Sequence, residues 1–163
     1  MARTAREKSR SGVYHIMLRG INRQQIFGDD EDCEVFLSAM KHYFGEGGHK
    51  VYAYCLMGNH AHIVLREGKE AIGLTMRKLG TSYVLRHNKK YARTGALFQD
   101  RYRSEPIEGA RRLVDVVRYV HMNPVNAGLS AAQEDYPWSS YRAYEQDIDP
   151  FIRTQDVLAY VSR

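Results

Sequence analysis

His60 and His62 lie one residue apart in CLMGNHAHIVL, residues 55–65, a stretch with the apolar character of a buried strand. A strand sends alternate side chains to one face, so the two imidazoles point together, about 6.6 Å apart along the backbone. Such a pair is either packed structure or part of a metal site, and two ligands rarely suffice to hold a metal. RYVHMNP, residues 118–124, offers a third donor. Residues four apart on a helix share a face, one turn or about 5.4 Å along, so Tyr119 and Asn123 project together. Two imidazoles and the Asn123 amide form a mixed nitrogen and oxygen set suited to Mg²⁺ or Mn²⁺ holding a phosphate oxygen. Tyr119 then stands within one turn of that phosphate, where a nucleophile is needed. Cys55 is an alternative soft third ligand, which would turn the preference to zinc. His121, two residues past Tyr119, turns away from this face and reads as structural.

The elements that must position these groups follow from the hydropathy pattern. VYHIMLRG (13–20) reads as a first strand. Asp29 and Asp30 cap a helix running to about Phe44, with Val35, Phe36, Ala39, Met40 and Tyr43 as its apolar stripe. KVYAYCLM is a second strand, Gly58-Asn59 a two-residue hairpin turn, and HAHIVLR a third strand. In that register Met57 opposes His60 and Cys55 opposes His62, while Tyr52, Tyr54, Leu56, Ala61, Ile63 and Leu65 collect on the other face to pack against helices. A basic helix follows from about Glu70 to Asn88, then a strand from Leu97 to Ile107, then a helix from Glu108 to Met122. The order β-α-β-β-α-β-α predicts an α+β fold, a ferredoxin-like split βαβ with one added helix. Residues 1–163 read as one domain, with 137–163 a C-terminal appendage carrying a weak helical pattern near 154–161.

Bulk properties narrow the class. Hydrophobic residues make up 44% of the 163 and charged residues 26%, the profile of a soluble globular chain. No apolar run reaches the roughly 18–20 residues of a membrane span, and the basic start MARTAREKSR lacks the apolar stretch of a secretory signal. Two cysteines, Cys33 and Cys55, read as free thiols of a reducing compartment, so a cytoplasmic location is expected. The net charge is +5, and its distribution is uneven. Between Arg66 and Arg118 there are 13 Lys or Arg against 6 Asp or Glu; from Tyr119 onward there are 3 against 6. A basic middle interleaved with Tyr83, Tyr91, Phe98 and Tyr102 has the composition of a nucleic-acid surface, where cations follow phosphates and rings stack on bases. The candidate DNA contacts are Arg77, Lys78, Tyr83 and Arg86 on the basic helix, and Gln99, Arg101, Tyr102 and Arg103 on the last strand. Arg19, Asn22, Arg23 and Gln24 form a polar loop able to read base edges.

NHAHIVL followed by a helix carrying Tyr-x-x-x-Asn resembles the HUH single-tyrosine transposases, where U is a hydrophobic residue, here Ala61. The ordered blocks YHIMLRGINRQQIF, AYCLMGNHAHIV, GALFQDRYRSEPI, RYVHMNPVNAGL and YPWSSY resemble the branch called REP-associated tyrosine transposases. The resemblance implies a ferredoxin-like endonuclease fold and a divalent metal held by His60, His62 and Asn123. It also implies that Tyr119 cleaves single-stranded DNA and stays attached to the 5′ phosphate. The implied partner is single-stranded or hairpin DNA, engaged by a monomer or a homodimer. Related insertion-sequence enzymes carry Gln where this chain has Asn123. Two other readings of the same residues are a non-catalytic module that grips structured DNA and a small zinc hydrolase using His60, His62 and Cys55. The hydrolase lacks a general base, because no Glu lies in reach along the strand.

Overall fold

A computed structural model describes residues 5–146 and 148–161. Four strands, β1 (Val13–Arg19), β2 (Lys50–Leu56), β3 (His60–Arg66) and β4 (Arg103–Pro106), form one sheet in the order β2-β3-β1-β4. Each neighbour pair is antiparallel. Helix α1 (Asp30–Gly47) joins β1 to β2, and α2 (Ile72–Lys90) joins β3 to β4. Because β3 lies between β1 and β2, the βαβ unit is split, the ferredoxin-like arrangement. Helix α3 (Ala110–Asn126) and the short α4 (Tyr141–Gln146) and α5 (Thr154–Val161) follow.

Local chemistry sets the ends of these elements. Asp29 caps α1 by accepting the Asp32 amide at 3.0 Å, and Asp30, Glu31 and Asp32 fill the first turn, where the helix dipole favours negative charge. The helix runs a turn past Phe44 and stops at Gly48, whose φ of 75° lies in the left-handed region that favours glycine. The final strand is shorter than its apolar pattern predicts. Phe98 pairs with Gly20 in an isolated bridge, Asp100 then takes a φ of 54°, and pairing resumes only at Arg103. Conversely, α3 continues beyond Met122 through Pro124. Proline there forfeits its own amide bond, but Pro124 is buried and the Ala127 amide still reaches the Asn123 carbonyl at 3.0 Å.

Both faces of the sheet are covered. Ile16, Ile63 and Leu65 pack with Phe36, Met40 and Phe44 of α1 and Leu79 and Tyr83 of α2. On the opposite face Val13, Ala53, Cys55 and Val64 pack with Leu113, Val116, Val117 and Val120 of α3 and Val157 of α5. The predicted alternation fails at one place. The β2–β3 register is irregular between Val51 and Ala53, and Tyr52 joins the α3-side core beside Ala53 and Cys55 instead of pointing with Tyr54. A bulged strand places successive side chains out of alternation. The C-terminal stretch lies along the outer edge of β2. The Leu56 amide donates to the Trp138 carbonyl at 2.8 Å, the Ser140 amide to Tyr54 at 3.0 Å and the Arg153 amide to Val51 at 2.9 Å. An open strand edge invites unwanted pairing, and this stretch satisfies it within the chain. Among the described residues no helix is long and apolar enough to cross a membrane.

Candidate active site

The hairpin fixes the two histidines. The Met57 amide donates to the His60 carbonyl at 2.8 Å, closing the Gly58-Asn59 turn, and Cys55 opposes His62 as that turn dictates. Across the other side of β3, Met17 opposes His62 and Arg19 opposes His60. Alternation along β1 therefore adds His15 to the same face, diagonal to His62. Beyond Arg19 the chain turns sharply at Gly20. A Cβ there would lie 2.2 Å from the Gln24 carbonyl oxygen, so only glycine permits the close backbone approach.

Helix α3 crosses this face and brings Tyr119 and Asn123 over the histidines. The Asn123 Nδ2 donates to His62 Nε2 at 3.2 Å. The ring centroids of His60 and His62 are 5.1 Å apart, and Tyr119 stands edge-on to His62 at 5.8 Å. His62 is 2% exposed, whereas Tyr119 is 52% exposed. Each histidine has an anchor on its Nδ1: Asn59 Oδ1 at 2.7 Å for His60 and His15 Nε2 at 2.9 Å for His62. Burial pushes the His62 pKa down to about 3, with the fields of His15, His60 and Arg19 adding to it. Burial also lowers His60, helped by Arg19 and partly offset by its interaction with Asn123. The imidazoles are therefore held neutral, the form that ligates metals.

These groups form the floor of a cleft of about 320 Å³. Arg19, Gln99, Arg101 and Arg103 line its walls together with Met17 and Asp100. Three guanidinium groups around an exposed phenol suit a polyanion that must reach the histidines. Asn22 and Arg23 lie exposed in a 3₁₀ turn just beyond the rim. Asn59 ties that turn to the site, since its Nδ2 donates to the Arg23 carbonyl at 3.4 Å while its Oδ1 holds His60. Gln24 accepts from Arg93 at 3.1 Å.

Other predicted contacts are not brought here. Tyr83 is 2% exposed, its hydroxyl donates to the Ile26 carbonyl and its ring packs against Phe27 and Phe36, so it is a core residue and not a base-stacking one. Arg77, Lys78 and Arg86 ride on α2, in the layer on the opposite face of the sheet, and Lys78 pairs with Glu70 at 3.0 Å. Tyr102 turns toward the start of α2, with the Arg6 guanidinium 3.6 Å above its ring. His121 is buried with its Nε2 2.7 Å from Ser140 Oγ, structural as its helical position predicts. Cys55 lies in the α3-side core with its Sγ against the Met57 sulfur, and burial pushes its thiol up to about 12. Two residues escaped the sequence reading. His15 follows from alternation along β1 only once β1 is known to lie beside β3, and Arg112, whose charge is felt by His15 together with that of Glu105, sits on the Tyr119 stripe of α3 seven residues back.

Among the described residues no three His, Cys, Asp or Glu side chains converge on one point, and the Asn123 amide is the polar group set against His62 in the cleft. Two neutral imidazoles and one amide fit a hard divalent ion that keeps positions open for other oxygens.

A search of curated proteins finds no match. Among solved structures, the chain is similar to a REP-associated tyrosine transposase bound to a REP hairpin, with a TM-score of 0.73 at 18% identity over 96% of this chain and 93% of that one. It is also similar to a protein from Deinococcus radiodurans R1 assigned as a transposase, with a TM-score of 0.50 at 15% identity over 73% of this chain and 95% of the other. At these identities the likeness is one of fold. A family profile described as "Transposase IS200 like" matches residues 8–123, and the chain accordingly belongs to the IS200-like transposase family.

Proposed function

We propose that this transposase cleaves and rejoins single-stranded DNA next to a hairpin, using Tyr119 as nucleophile and a divalent cation, Mg²⁺ or Mn²⁺, held by His60, His62 and Asn123. The observation that carries the reading is the placement of Tyr119. It is the exposed aromatic group of α3, standing edge-on to His62 and facing a cleft that His60 also lines and that arginines wall. When bound, the cation would supply charge stabilisation to the scissile phosphate.

The chain's own residues account for the remaining requirements. Phosphoryl transfer depends on in-line positioning and charge neutralisation more than on strong acids or bases. Arg19, Arg101 and Arg103 would hold the phosphates flanking the reacting one. The Tyr119 oxygen attacks phosphorus, forming a Tyr–O–P bond as the P–O3′ bond breaks; the phenol proton passes to solvent and the departing 3′ oxygen takes one up. A phenol titrates near 10, so phenolate leaves readily when a 3′-hydroxyl attacks the phosphotyrosine. Bond energy is thereby conserved through the covalent intermediate, and strands are rejoined without ATP. The hairpin preference is proposed from the REP hairpin named with the structural relative.

A denaturing gel tests this with labelled hairpin DNA whose single-stranded flanks vary across a panel, in Mn²⁺ or Mg²⁺. The expected result is a protein–DNA adduct that needs the cation and vanishes in Tyr119→Phe. Tight binding across the panel with no adduct would make the chain a structured-DNA-binding module instead.

A further inference from the structure

The geometry points to His15 as a positioning residue that holds His62 in the tautomer whose Nε2 carries the lone pair that a cation needs. This rests on the proposed role of His60, His62 and Asn123. A neutral imidazole has one N–H and one lone pair, so the partner of one nitrogen decides what the other can do. His62 Nε2 faces the donating Asn123 Nδ2 at 3.2 Å, which requires a lone pair on Nε2 and the hydrogen on Nδ1. The group 2.9 Å from that Nδ1 is His15 Nε2, in a buried pair. His15 must therefore accept, with its own hydrogen on Nδ1.

Two further observations favour positioning over simple packing. His60 is held the same way, with Asn59 Oδ1 2.7 Å from its Nδ1, so both histidines are anchored through the same atom and present the other. Ligating histidines commonly have such a partner on the second ring nitrogen, which fixes tautomer and ring orientation. His15 also reaches His62 without being its cross-strand opposite, a place held by Met17. The two rings stack instead, with centroids 5.1 Å apart and planes 26° from parallel. An apolar ring could fill this space but could not accept the hydrogen bond.

The test compares the full-length wild type with His15→Phe and His15→Gln, after thermal melts establish that each is folded. Mn²⁺ affinity is read by electron paramagnetic resonance, and the His62 tautomer by ¹⁵N NMR of the metal-free protein. The expected result is an Nδ1–H tautomer of His62 in wild type, lost in His15→Phe together with about 10- to 100-fold in Mn²⁺ affinity. Gln, whose side-chain oxygen can accept, recovers most of that loss. Unchanged affinity and tautomer in His15→Phe, or a wild-type His62 protonated on Nε2, would overturn the role of His15. A wild type that binds no Mn²⁺ while His62 keeps its Nδ1–H tautomer would instead overturn the metal reading.

Discussion

Tyr83 and Tyr119 sit on helices that cover opposite faces of one sheet, and they have opposite fates. Tyr83 on α2 is sealed among Phe27, Phe36 and Phe98, and its hydroxyl is spent on a main-chain carbonyl. Burial drives its pKa up. Tyr119 on α3 stands half in solvent above neutral histidines and beside arginines. The α1/α2 face is a continuous apolar core. On the α3 face the apolar packing fades toward the end where His15, His60 and His62 emerge. The two sides of the sheet thus differ in use: alternation gives the α1/α2 side of β1 and β3 apolar residues throughout, and sets His15, His60 and His62 beside Val13 and Val64 on the other.

If this division holds, the two tyrosines respond to substitution in different currencies. Tyr119→Phe removes the proposed nucleophile and should lower adduct formation at least about 10³-fold, while urea melts stay within about 0.5 kcal/mol of wild type because the side chain is exposed. A residual adduct near the wild-type level would break the comparison on the α3 face. Tyr83→Ala opens a cavity under α2 and should cost roughly 3–5 kcal/mol of stability. At a temperature where the variant remains folded, its adduct rate per folded molecule should match wild type. A selective loss of activity would place Tyr83 in the DNA path after all.

Acid tests a property the two faces share, neutral buried histidine. Burial holds His121 at about 4 against 6.5 for a free ring, and burial lowers His49 on the other face. The unfolded chain takes up these protons first as pH falls, so stability present above pH 6.5 is lost on the way down to 4. His121 alone accounts for about 2 kcal/mol by pH 5. Urea midpoints at pH 7 and pH 5 read this directly, and equal midpoints would contradict it. The smallest effect belongs to the cleft wall. Arg103→Ala should weaken hairpin DNA binding modestly and reduce the slope of log affinity against log salt by about one, while Arg86→Ala on α2 should leave the slope unchanged. Equal effects would mean that DNA touches both layers.

Much of the α3-face arrangement was legible in the sequence because it is local. The Gly58-Asn59 turn sets which face His60 and His62 share, and four-residue spacing puts Tyr119 and Asn123 on one stripe. What escaped was nonlocal or irregular. His15 matters only because β1 lies beside β3, which strand order decides. The bulge at Tyr52 and the left-handed Asp100 interrupt patterns that periodicity extends smoothly. The basic character of α2 was clear, but charge along a helix does not reveal which face of the sheet it covers, so Arg77, Lys78 and Arg86 were grouped with residues they do not meet.

The central claim is that the phenol of Tyr119 becomes joined to DNA. Peptide mass spectrometry of the trapped protein–DNA adduct, after nuclease digestion to the attached nucleotide, tests it most directly. A nucleotide 5′-phosphate is expected on the peptide bearing Tyr119, with Tyr83, Tyr91 and Tyr102 unmodified. A nucleotide on any other residue would contradict it.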